Sequence, residues 1–92
     1  MNFTWDEQKR QANLRKHGLD FADAVHAFNG PLVLFEDHRV DYGEQRMIGI
    51  GLLGRLVVLI VHVESDDEIR IISMRKADRD ETNLYYRNIG LR

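Results

Sequence analysis

The sequence predicts an α+β fold, on three observations. Two helix-like segments open the chain, four β-rich runs joined by short turns fill its middle, and a capped amphipathic segment closes it. The order ααββββα therefore describes two N-terminal helices, a four-stranded antiparallel sheet and a C-terminal helix. The antiparallel sense follows from connections as short as Gly54 and Ser65-Asp66-Asp67, which leave no room for a parallel crossover. At 92 residues, 1–92 is expected to form a single domain.

Each element has a local cause. Thr4-Trp5-Asp6-Glu7 has the form of a capping box with Thr4 as N-cap, and Gly18 supplies a stop, so the first helix is expected from about Trp5 to His17. Trp5, Lys9, Asn13 and His17 recur every four residues on one stripe, polar where a packing helix carries leucines. In the second helix Asp20 and Asp23 form a weaker cap, and Phe21, Ala24, Val25 and Phe28 fall on a core-facing stripe that ends at Asn29-Gly30-Pro31.

Strands are expected over 31–36, 45–53, 55–64 and 68–76. The third, with Leu56-Val57-Val58-Leu59-Ile60-Val61, is apolar on both faces and so central. The polar stretch 37–44 reads as a mobile loop. Asp78 and Glu81 cap a last helix that runs through Leu84 and Tyr85 toward Ile89.

Composition narrows the function. With 43% hydrophobic and 30% charged residues the chain is an ordinary globular protein. The absence of cysteine excludes disulfides and thiolate chemistry and fits a reducing cytoplasm, where the chain is expected to act. No signal-peptide pattern opens it, and its longest apolar run is too short for a bilayer, so no membrane role is expected. The net charge of −2 argues against broad attraction to nucleic acid. Yet 10 of the 13 basic residues are arginines, whose planar fork suits local phosphate contact.

The motifs carry the reading further. The stretch Trp5-Asp6-x-x-Lys9-x-x-x-Asn13-Leu14-x-Lys16-His17-Gly18 is followed by Phe21, Ala24 and Pro31. Then come Glu44-x-Arg46 with Gly49, and Arg70-Ile71-Ile72-Ser73-x-Arg75-x-Ala77 with Glu81. Together they resemble the BrnT family along nearly the whole chain. The resemblance implies a RelE-like fold and a ribonuclease toxin of a type II toxin–antitoxin pair, held inactive by a BrnA-like ribbon-helix-helix antitoxin. RNA is then the substrate, and DNA is reached only through the antitoxin.

The chemistry so implied is cofactor-free and metal-free RNA cleavage, in which the ribose 2′-hydroxyl attacks the adjacent phosphate. It needs a base for the 2′ proton, an acid for the leaving 5′ oxygen and cations around phosphorus. The candidates are Glu44 or His62 for the proton, Arg46, Arg70 and Arg75 for the phosphate, and Tyr85 or Tyr86 to stack on a base or donate a proton. Lys16, His17 and Ser73 are candidates for binding the substrate.

Strand alternation constrains these roles. His62 shares a face with Leu56, Val58 and Ile60, so it is either catalytic or the wet end of a core row. Ser73 and Arg75 share a face with Ile71, whereas Arg70 points with Ile72 and Met74, so both arginines line one cleft only if a bulge intervenes. Arg75, at the strand's end, is the stronger candidate. Glu44 and Arg46 are either a site pair or a solvated ion pair. Lys16 and His17 either face RNA or simply complement the helix C-terminus, whereas Asn13 and Trp5 read as structural.

Two patterns are set aside. His62-x-Glu64 with Asp66 and Asp67 reads as a solvated turn, and no metal site is expected. The glycines 49, 51 and 54 run through a strand into a hairpin, so they form no phosphate loop. The competing function is a non-enzymatic interaction module, or a diverged relative that keeps only antitoxin binding. A neighbouring reading frame encoding a ribbon-helix-helix protein separates the toxin from the isolated module.

Overall fold

The computed structural model describes residues 1–90. Its elements are β1 (Asn2–Trp5), α1 (Glu7–His17), a 3₁₀ turn (Phe21–Asp23) leading into α2 (Ala24–Phe28), β2 (Leu32–Glu36), β3 (Met47–Leu53), β4 (Leu56–Glu64), β5 (Glu68–Lys76) and α3 (Arg79–Asn88). They form one five-stranded sheet in the order β1-β5-β4-β3-β2. Strands β2 to β5 are the expected antiparallel meander, but β1 adds to the outer edge of β5 in parallel. The sheet is thus mixed and five-stranded, not antiparallel and four-stranded.

The residues read as a cap explain the difference. Thr4 belongs to β1, and the cap of α1 is Asp6, whose side chain accepts the N–H groups of Gln8 (2.9 Å) and Lys9 (3.1 Å). Gly18 closes the helix at φ 70°, a left-handed conformation that a Cβ would strain. At the other end of the fold, Asp78 and Glu81 form the expected capping box of α3.

The sheet separates two cores. On one side Phe21, Ala24 and Ala27 pack on Val58, Ile60, Ile69, Ile71 and Met74, with Phe3, Trp5 and Phe28 around them. On the other, α3 brings Leu84, Tyr85 and Tyr86 onto Ile48, Ile50, Val57, Leu59 and Val61. Phe21, Tyr85 and Ile60 are almost wholly buried, and each such side chain is worth about 1.5–3 kcal/mol of transfer free energy.

Helix α1 is an exception to this scheme, because it buries only Asn13. That amide acts as a short strand. Its Nδ2 donates to the Met74 carbonyl (2.7 Å) and the Leu19 carbonyl (3.1 Å), while its Oδ1 accepts the Met74 N–H (3.1 Å). These bonds satisfy the edge of β5 beyond Ile71, where β1 has ended. A second polar tie joins Arg10 to Asp20 through two bonds of 2.8 and 3.0 Å.

Candidate active site

A β-bulge between Val61 and His62 of β4 decides what the sheet can present. Val61 faces Ser73, but His62 faces Ile71, so Ile72 is the extra residue of β5 and packs into the α3 core. Side chains of β5 change phase there. Arg70, opposite Val63, and Arg75, opposite Leu59, consequently share the α3 face of the sheet with Ser73.

Glu44 joins this face to the loop before β3. It accepts a hydrogen bond from Arg70 Nη2 at 2.6 Å and lies 3.4 Å from Arg46 Nε, so one carboxylate sits between two guanidiniums. Arg46 in turn stacks over the Tyr42 ring, with Cζ 4.1 Å from its centroid. The Tyr42 hydroxyl donates to Asp37 (3.2 Å), which also receives Arg39 through two bonds of 2.8 Å.

Asp37 is fully buried at its side chain, and these bonds from Arg39 hold its carboxyl far below the usual carboxylate range. The stretch 37–44, expected to be mobile, is therefore pinned at a buried carboxylate. It also borders an acidic cavity of about 280 Å³ formed with Glu36, Asp41 and Glu44.

Arg75 completes the row. Its Nη1 and Nη2 each donate to an oxygen of Glu81 at 2.8 Å, raising the arginine's proton affinity and depressing that of the glutamate. The charge of Arg39 acts on both partners, opposing protonation of each. Four arginines and three carboxylates thus adjoin on one side of the sheet.

Two expected catalytic residues, His62 and Tyr85, are not part of this row. His62 is fully buried on the opposite face, where its ring and that of Phe28 stand nearly perpendicular with centroids 4.9 Å apart. Its Nδ1 contacts the Ile60 carbonyl (3.2 Å) and its Nε2 the Glu64 carboxylate (2.8 Å). Gly49 packs beside that ring, where a Cβ would make a tight 3.3 Å approach to His62 Cε1. Both ring nitrogens therefore have a partner, Nδ1 inside the core and Nε2 at the exposed Glu64.

Tyr85 is also wholly buried, and its hydroxyl donates to the Pro31 carbonyl (2.8 Å), tying α3 to the start of β2. Burial pushes its phenol up, which makes it a poor proton donor. Tyr86 packs edge-on against Tyr85 at 5.3 Å, half-buried in the same core.

The remaining candidates form a separate group. Lys16, His17 and Ser73 line a groove at the outer edge of β5, together with Lys9, Asn13 and Ile72. Asp37, Arg39 and Tyr42 were missed in the sequence. The available signal was the Asp37-x-Arg39 spacing beside an aromatic residue, inside a stretch otherwise read only as polar. Among the described residues, no group of three or more histidine or acidic side chains could hold a metal ion, and no helix is long and apolar enough to cross a membrane.

Fold and site define a small α+β protein with four arginines paired to carboxylates on one sheet face. The family model described as the ribonuclease toxin BrnT of type II toxin–antitoxin systems matches residues 5–81, and the chain belongs to that family. The crystal structure of the Brucella abortus ribonuclease toxin BrnT is similar at 34% identity and a TM-score of 0.69, over 86% of this chain and 99% of that one. No curated protein matches significantly. The chain is accordingly a ribonuclease toxin, with RNA as substrate and an antitoxin as partner.

Proposed function

We propose that this toxin cuts RNA without a metal ion, on the sheet face shared by Glu44, Arg46, Arg70 and Arg75. The observation that carries the reading is Glu44 between the guanidiniums of Arg46 and Arg70, on the face to which the bulge also brings Arg75. An RNA phosphate competes with Glu44 for those guanidiniums and frees the carboxylate to act as base. Glu44 then accepts the 2′ proton as the 2′ oxygen bonds to phosphorus, and the bond to the 5′ oxygen breaks, that oxygen taking a proton from water. Arg46, Arg70 and Arg75 stabilise the charge that builds on the pentavalent phosphorus.

On this reading the chain works as a single domain in the cytoplasm, and its antitoxin is a ribbon-helix-helix protein that supplies all DNA contact. The deciding experiment is single-turnover cleavage of RNA in EDTA. The wild type should cut, and Glu44→Gln should be slower by roughly 10²–10⁴-fold, the usual contribution of a general base. Loss of wild-type activity on chelation, restored by a divalent ion, overturns the metal-free reaction. Undiminished cleavage by Glu44→Gln removes Glu44 as the base.

A further inference from the structure

We infer that the groove between α1 and the outer edge of β5 is a second RNA-binding subsite, which holds phosphates of nucleotides flanking the scissile bond. The inference rests on the reading of the arginine face as the cleavage site, and adds a path for the rest of the strand.

The groove, of about 310 Å³, has Lys9, Lys16 and His17 on its α1 wall, Ile72 and Ser73 on its β5 wall, and the buried Asn13 at its floor. Arg39, Arg46, Arg70 and Arg75 are all ion-paired, as is Arg10 on α1 itself. No ion pair among the described residues engages Lys9, Lys16 or His17. Three cationic or protonatable groups therefore line one groove without an ion-pair partner among the described residues, on a chain whose net charge is −2.

Packing does not account for the stripe. A helix normally buries an apolar face, whereas α1 buries only Asn13 and docks through its amide. The helix dipole favours Lys16 and His17 in the last turn, but it disfavours Lys9, which lies in the first. Lys9 and Lys16 are separated by seven residues, about 10 Å along the axis, a span that reaches more than one phosphate of a single strand. A phosphodiester chain is the ligand that uses several cations in a row and needs no fitted pocket.

Continuity selects RNA over an acidic protein segment. Ile72 and Ser73, which form one wall, are the residues at the bulge, between Arg70 and Arg75 in the same strand. β1 ends opposite Ile71, so β5 has no strand beyond it there. A strand of RNA bound at the arginines thus passes over Ser73 into the groove without crossing another element.

The test uses a 2′-O-methyl oligoribonucleotide, which lacks the attacking hydroxyl and is bound without being cut, read by fluorescence anisotropy over a range of salt. The variant Lys9→Gln/Lys16→Gln should bind roughly tenfold more weakly at low salt, and its slope of log K against log salt should fall by about 0.7 for each phosphate no longer neutralised. Lys9→Glu/Lys16→Glu should bind more weakly still, with both variants melting like the wild type. Unchanged affinity and slope overturn the inference, and so does intact RNA binding with weakened antitoxin binding, which assigns the groove to the protein partner. Because the probe cannot react, failure of Glu44 as the base leaves this result untouched.

Discussion

Arg75 and Glu81 are joined by two parallel 2.8 Å hydrogen bonds, and the Oε1 that holds Arg75 also accepts the Asp78 N–H that starts α3. One carboxylate therefore fixes both the arginine and the helix. The ion pair also sets Arg75 in a defined orientation, which in the proposed reaction lowers the entropic cost of using it on phosphate.

Removing the two partners should have opposite signatures. Glu81→Gln removes a charged cap and is expected to cost about 1 kcal/mol of stability, the order of a helix-cap loss, while leaving cleavage measurable. Arg75→Ala should melt within a few degrees of the wild type yet abolish growth inhibition. Urea unfolding together with a growth assay checks both, and a toxic Arg75→Ala strain would remove this arginine from the site.

His62→Ala should behave in the reverse manner. It empties a fully buried position beneath Phe28, and large-to-small changes in a core cost roughly 2–4 kcal/mol. The melting temperature should fall, while the folded fraction cleaves RNA at the wild-type rate. A stable variant with no activity would restore a catalytic role for the imidazole.

Stability should fall in acid for a specific reason. Arg39 holds Asp37 low and Arg75 holds Glu81 low, so both carboxylates have lower pKa values in the folded than in the unfolded chain. Their contribution is complete above the unfolded values of 3.8 and 4.5, and is lost as pH falls through the folded ones. The stability gap between wild type and Asp37→Asn should therefore be constant near neutrality and close in acid. A gap that persists unchanged to low pH would show that the pair with Arg39 does not govern it.

The antitoxin should read the same face. Charge reversal at Arg46 or Arg75 is expected to weaken antitoxin binding as well as cleavage, mainly by slowing encounter and in a salt-sensitive way. Calorimetric titration decides this. Equal affinity for both variants would place the antitoxin elsewhere.

The sheet was legible where its causes are local. Alternation and turn residues set β5 at 68–76 and placed β4 within a residue, and Asp78 with Glu81 announced α3. β1 was not legible, because Asn2–Trp5 is a strand only by virtue of partners at Glu68–Ile71, far along the chain. In the site, Arg46, Arg70, Arg75 and Glu44 were named from the family motif, but their meeting depends on the bulge. Its trace in the sequence is the adjacent Ile71-Ile72, where the alternation breaks phase. The surroundings of His62 were not legible because a histidine in an apolar row reads equally as reagent or as core, and its contacts with Phe28 and Gly49 come from distant parts of the chain.

The pairing of Asn2–Trp5 with Glu68–Ile71 also bears on synthesis of the chain. The first strand to be synthesised has no partner until β5 exists, and Asn13 likewise waits for Met74. Closing so long a loop carries an entropic cost that local elements such as the β3–β4 hairpin do not bear. The groove therefore needs both ends of the chain, and a chain interrupted before residue 68 carries the lysines of α1 with nothing to set them against.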